Sequence, residues 1–212
     1  NKTDSKFESL SKNIETDVCI IGAGIFGMTC GYYLSKASLN VTILEKDEIC
    51  HKTTGHTTAK ITSQHGLFYT YLVETYGEGF AKDYLSANQE AIENIKNIID
   101  DENITCDFER QSNFVYTTNP NEVPQIKKEF DVLNALGLSA NFVTKTGLPF
   151  DVAGAVQFKD QAQFNPIKYV NGLAKCISKY NGEIFTNTTV TDVKKIGDNF
   201  YIFTPNNVVT SK

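Results

Sequence analysis

Apolar residues in this chain fall into short unbroken runs and helical spacings, and the order of the two patterns is that of an α/β protein. Val18 to Ile21 is an apolar run with the character of a strand buried on both faces. Residues 25–37 follow with helix-compatible chemistry, and Val41 to Leu44 is a second strand. Leu67 opens a helical pattern that breaks near Gly77 and Gly79. It resumes from Phe80 to Ile99, with Tyr84, Leu85, Ala91, Ile92, Ile95 and Ile99 at three- and four-residue spacings. Strands are predicted at Thr105 to Glu109, Asn113 to Thr118 and around Ala153 to Phe158, with a helix from Asn121 to Leu136 closed by Gly137. Asn165-Pro166 starts a helix that runs to Tyr180, Asn as N-cap and Pro at the first helical position, before a turn at Asn181-Gly182. Strands at Glu183 to Thr186, Thr189 to Ile196 and Asn199 to Thr204 close the pattern, the last two joined as a hairpin by Gly197-Asp198.

Between the first strand and its helix stand Gly22, Gly24 and Gly27. Gly22 permits the tight strand-to-helix turn, Gly24 lets backbone N–H groups approach a pyrophosphate, and Gly27 lets the helix sit close to the sheet. The helix N-terminus then faces the anion. Gly31, four residues on, extends the close helix–sheet contact on the same face. The second strand ends in Glu45, placed where a ribose-hydroxyl acceptor is expected. Beside that carboxylate a 2′-phosphate would be repelled even with Lys46 next to it, so FAD or NAD is favoured over NADP. The plain alternative is a βαβ unit that binds nothing.

With 212 residues, 41% of them hydrophobic, the chain can bury a substantial core in one domain or two small ones. A net charge of −5 without a Lys/Arg block argues against nucleic acid. No segment approaches bilayer-spanning length, and Asn1 to Lys12 lacks the apolar region of a signal peptide, so a cytoplasmic location is expected. The five cysteines, Cys19, Cys30, Cys50, Cys106 and Cys176, show neither a metal nor a disulfide framework. Cys50 beside His51 invites a nucleophile reading, although adjacency says little about geometry. Asp100-Asp101-Glu102 reads as a solvated helix end.

Residues 1–15 read as a loosely held arm, and 46–66 as a connection long enough to be functional. The expected domain plan is a discontinuous dinucleotide-binding domain at 16–75 and 153–212, with an inserted α+β substrate-side region at 76–152. Only the strands at Val18, Val41 and Ile184 have the flanking helices a doubly wound sheet needs, so a further apolar strand is expected after Lys212. On that reading the chain is the N-terminal part of a longer protein.

Glu45 followed by Thr53-Thr54-Gly55-His56-Thr57-Thr58-Ala59-Lys60 and Gln64-His65-Gly66 resembles the FAD-dependent oxidoreductases of the glycine/D-amino-acid oxidase (DAO) family, especially the subgroup with a C-terminal Rieske [2Fe-2S] domain. Further matches are Ala87-Asn88-Gln89-Glu90-Ala91, Cys106-Asp107-Phe108-Glu109, Phe164-Asn165-Pro166 and Thr188-Thr189-Val190. The resemblance implies a Rossmann-like fold holding FAD at Gly22, Gly24 and Gly27 through the pyrophosphate and at Glu45 through the adenosine ribose. Ile25, Phe26 and Lys46 belong to the same cofactor-binding set. Thr54, Gly55, His56, Thr57 and Thr58 would run past the pyrophosphate and isoalloxazine, and main-chain atoms of Val190 would lie near the adenine. The implied chemistry is hydride transfer to flavin from a C–H next to the nitrogen of a small amine or amino acid, with oxygen or an iron–sulfur centre as electron acceptor. Rieske ligands are absent from this sequence, so a [2Fe-2S] centre would require a domain beyond it.

His56, beside the matched motif, could orient a flavin or act as acid or base; His65 could do so too or be an ordinary loop histidine. Arg110, the only arginine, is a candidate clamp for a substrate carboxylate or else a surface ion pair with Glu109 or a neighbour. Two other functions share the glycine pattern. One is an NAD-dependent dehydrogenase, which has no use for Gly55 to Lys60; the other is a non-catalytic flavin-binding or assembly domain.

Overall fold

In the computed structural model, which describes residues 6–212, the chain runs β1 (Ile14–Thr16), β2 (Val18–Ile21), α1 (Ile25–Lys36), β3 (Val41–Leu44), β4 (Lys60–Ile61), α2 (Phe68–Asp101), β5 (Glu109–Thr117), α3 (Val123–Ala135), β6 (Ala140–Val143), β7 (Gly154–Gln163), α4 (Pro166–Lys179), β8 (Glu183–Phe185), β9 (Asp192–Ile196), β10 (Asn199–Phe203) and β11 (Val208–Ser211). Single 3-10 turns occur at Thr53–His56 and Pro120–Glu122. The chain divides into two compact units, one of residues up to 58 with 99–106 and 165–212, the other of 59–98 and 107–164.

The first unit is built on a parallel sheet in the order β2-β3-β8, with Ile20 opposite Ile43 and Ile43 opposite Ile184. Alternation along the strands gives the sheet two buried faces. Ile20 and Ile43 reach towards α1, where a Cβ at Gly27 or Gly31 would meet their side chains at 3.2 and 2.6 Å. Cys19 and Leu44 point the other way, into a cluster with Leu10, Ile202, Val209 and Val190 under the antiparallel meander β9-β10-β11. α4 buries Tyr169, Val170, Leu173, Ala174 and Ile177, the stripe that its apolar period predicts. Its N-cap is Asn165, whose side chain accepts from Lys168 N at 3.1 Å.

The second unit is an antiparallel sheet with β7 central, β5 on one side and β4 and β6 on the other. α2 and α3 contribute Tyr69, Leu72, Leu85, Ile126 and Leu133 to a core with Val156 and Phe158. α2 kinks at Gly77, whose φ of 86° and ψ of 165° interrupt the helix where the sequence predicts a break. Its N-terminus is capped by Glu129 of α3, fully buried, whose carboxylate accepts from Tyr69 N at 2.9 Å and Thr70 N at 2.8 Å. The carboxylate thereby satisfies amides that a helix start leaves without partners.

Several expectations change. The predicted arm is anchored from residue 6 onward, residues 1–5 lying outside those described. Leu10 is buried, its N–H donates to Thr188 Oγ1 at 3.0 Å, and β1 pairs in parallel with β11. Residues 59–75 and 153–164 pack with the second unit rather than the first, because β4 and β7 are partners in one antiparallel ladder. Of the strands expected at 105–109 and 113–118, the first is absent except for Glu109: residues 105–108 lie outside any strand, and a single strand, β5, runs from Glu109 to Thr117 with a register shift between Gln111 and Asn113. The strand expected from Thr189 begins at Asp192, and β1, β4, β6 and β11 were not predicted.

Glu102 is not solvated. Its side chain is 3% exposed, accepting from Lys179 Nζ at 2.9 Å, Tyr180 Oη at 2.8 Å and Tyr32 Oη at 3.0 Å. Burial alone would raise its carboxyl, but these three hydrogen bonds outweigh that and hold it down at about 2.

Candidate active site

β2 ends at Ile21, and the chain turns through Gly22 at φ +104°, a conformation that L side chains rarely adopt. A Cβ on Gly27 would lie 2.1 Å from Gly22 O, so the first turn of α1 can approach the strand end only with glycine there. Gly24 is the N-cap and offers no side-chain oxygen. The turn is instead closed by residues distant in sequence: Ala23 N donates to Glu45 Oε2 at 2.8 Å and Ile25 N donates to Thr54 Oγ1 at 3.2 Å. The next amides, of Phe26 and Gly27, have no intrahelical acceptor. Backbone donors at a helix N-terminus form the donor set that a pyrophosphate requires.

Glu45 is fixed from three sides. Its main chain continues the sheet, Glu45 N donating to Phe185 O and Thr188 N to Glu45 O, both at 2.8 Å. Asp47 N donates to Oε1 at 3.0 Å. A carboxylate has roughly four acceptor sites, so about two remain for a vicinal diol. Thr188 brings the segment carrying Val190 to the end of β3. The Val190 side chain packs into the meander core, leaving its main chain as the group that could meet a base.

The 53–58 segment is a single 3-10 turn with an extended residue, Thr57, after it. Lys52 O accepts from Gly55 N at 3.0 Å and lies 2.8 Å from His56 Nδ1. A carbonyl can only accept, so Nδ1 carries a proton. Gly55 has no room for a side chain, since a Cβ would lie 2.3 Å from Cys50 O. Lys46, His56, Thr57 and Thr58 are exposed, as is Phe26 at 82%.

The remaining candidates are His65, Arg110 and Cys50. His65, in the second unit, is exposed with its ring edge-on to Tyr84. Arg110 belongs to the same unit, and its fork is engaged: Nη2 donates to both carboxylate oxygens of Glu93 at 2.8 and 2.7 Å, and Nη1 to Asp160 O at 2.9 Å. That is the geometry of an ion pair, with Glu93 rather than Glu109. Cys50 is buried, and burial, with the Glu45 charge adding to it, pushes its thiol up to about 12, which removes the nucleophile reading. Among the described residues no group of three or more His, Cys, Asp or Glu could hold a metal ion, and no helix is long and apolar enough to cross a membrane. Ala23 and Asp47 were missed by sequence reasoning because both act through backbone N–H groups, which carry no residue-type signal.

Residues 17–210 match the family model described as FAD dependent oxidoreductase (DAO). The chain is 36% identical over 189 residues to the Bacillus subtilis (strain 168) protein named Putative Rieske 2Fe-2S iron-sulfur protein YhfW, a match covering 89% of this chain and 37% of that protein. It is 22% identical over 194 residues to gamma-glutamylputrescine oxidoreductase of Escherichia coli (strain K12), covering 89% and 45% respectively. Thus it spans less than half the length of these curated relatives. Among solved structures, an L-amino acid deaminase from Proteus vulgaris gives a TM-score of 0.75 at 16% identity over 98% of this chain and 48% of that one. A glycine oxidase from Bacillus cereus gives 0.73 at 18% identity over 92% and 54%. At these identities the structural likeness shows the fold, here a Rossmann-like βαβ unit with a second α+β unit. The family model sets aside the nicotinamide alternative. The chain belongs to the FAD-dependent oxidoreductase (DAO) family.

Proposed function

We propose that this chain supplies the FAD-binding part of an oxidoreductase that oxidises a C–H bond next to the nitrogen of a small amine or amino acid. The observation that carries the reading is the cradle itself, in which Glu45 and the Gly22–Gly27 turn are locked together at 2.8 Å through Ala23 N. Backbone amides at Gly24, Phe26 and Gly27 would hold the pyrophosphate, Glu45 the adenosine ribose, and the main chain of Val190 the adenine. Ile25 and Lys46 would flank the cofactor, and Thr54, Gly55, His56, Thr57 and Thr58 would run along it. When bound, the flavin supplies the hydride acceptor. The protein's part is orientation and exclusion of competing reactions; no residue here is assigned as a base, since a neutral amine needs none.

The substrate class is supported by three of the proteins the chain resembles, named for gamma-glutamylputrescine, an L-amino acid and glycine. Oxygen or an iron–sulfur centre is proposed as electron acceptor and the cytoplasm as location. Anaerobic mixing of the full-length, flavin-loaded protein with a panel of amines and amino acids tests this. Bleaching of the flavin band by at least one amine, and not by the matching hydroxy acids, is expected; no bleaching across the panel contradicts it.

A further inference from the structure

The amide that opens α1 is already engaged by the chain's own hydroxyl group. Ile25 N donates to Thr54 Oγ1 at 3.2 Å across 29 residues, and an ideal Cβ on Gly24 would lie 3.4 Å from the same oxygen. Thr54 therefore sits directly over the turn, at the acceptor position that an anion would take at this helix N-terminus. The turn that delivers it is short and lies at the surface. It comprises one 3-10 turn without buried residues, closed by Gly55 N and His56 Nδ1 on the same Lys52 carbonyl. Three residues before it, Cys50 is at φ 60° with its carbonyl over Gly55, a close-fitting hinge, and the turn itself lies against α4.

From this geometry we infer that the 53–58 turn is a strap over the cofactor cradle, and that loading exchanges the Ile25–Thr54 hydrogen bond for one from Ile25 N–H to a phosphate oxygen. The exchange runs downhill because a charged acceptor makes a hydrogen bond roughly twice as strong as a neutral hydroxyl does. It also releases the Thr54 hydroxyl to donate to the same anion. Thr54 then governs how fast the cofactor loads as well as how tightly it is held. This rests on the flavin reading above, and two measurements separate the strap from that reading.

Amide hydrogen exchange of the ligand-free chain requires no cofactor. In Thr54→Val, which keeps the shape and loses the acceptor, exchange at Ile25 is expected to rise roughly fivefold, as for loss of one hydrogen bond worth about 1 kcal/mol. Thr54→Ser should match the parent chain. Stopped-flow quenching of FAD fluorescence should then show association with the valine variant faster by a similar factor. Unchanged exchange at Ile25 overturns the strap. Unchanged association with faster dissociation also overturns it, since Thr54 would then be only a contact of the bound cofactor. Failure of the parent chain to bind FAD overturns the flavin reading and the loading step together, with the exchange measurement still deciding whether the strap exists.

Discussion

Glu45 Oε2 accepts a hydrogen bond from Ala23 N at 2.8 Å, tying the end of the second parallel strand to the glycine turn 22 residues earlier. One carboxylate thereby braces the turn, and in the proposed reading it would also hold the adenosine ribose. Glu45→Ala leaves Ala23 N and Asp47 N without their acceptor and removes the proposed ribose contact. Loss of charged hydrogen bonds worth about 1.5–3 kcal/mol predicts FAD affinity weaker by roughly tenfold to a hundredfold, read by fluorescence titration. An affinity within about twofold of the parent would show that Glu45 serves the turn alone.

Gly27→Ala tests the close approach of helix and strand. With Gly22 O only 2.1 Å from the added methyl, backbone must move. A loss of about 1–3 kcal/mol in unfolding free energy is expected, together with loss of FAD binding. A variant as stable as the parent would show that the turn relaxes without strain.

The sequence announced this unit plainly, and the reason is physical. Strands buried on both faces read as continuous apolar runs, and the glycines are dictated by local sterics. What stayed hidden depends on partners far apart in the chain. Thr54 reaches Ile25 across 29 residues, and Glu102 meets Lys179 across 77, so an acidic run that reads as solvated supplies a buried carboxylate. β1 was missed because its three residues, Ile14–Thr16, gain strand character only from pairing with β11, almost 200 residues later. Arg110 shows the same limit, since only the fold reveals that Glu93 fills its fork.

Glu102 predicts an acid-sensitive first unit. Its folded value, about 2, lies below the ordinary 4.5, so between those values the unfolded chain binds the proton more readily. Its contribution is therefore complete above about pH 4.5 and is lost as pH falls towards 2. Urea titrations across that range should show a steep loss of stability that Glu102→Gln flattens. A parallel pH dependence in the two proteins would contradict the assignment.

Glu129 makes a matching claim for the second unit. Glu129→Gln replaces one oxygen of the carboxylate that receives Tyr69 N and Thr70 N by an NH₂ that cannot accept. A cost of about 1–3 kcal/mol is expected, with faster amide exchange confined to the start of α2. Faster exchange spread evenly over both units would argue against a local cap.

Titration of the protein with FAD, against NAD and NADP as competitors, decides whether the cradle takes a flavin. Saturable one-to-one binding of FAD is expected, seen as quenched flavin fluorescence and a shifted visible band, that neither nicotinamide dinucleotide displaces and that Glu45→Ala weakens. Absence of saturable FAD binding, or preferential binding of NAD, would contradict it.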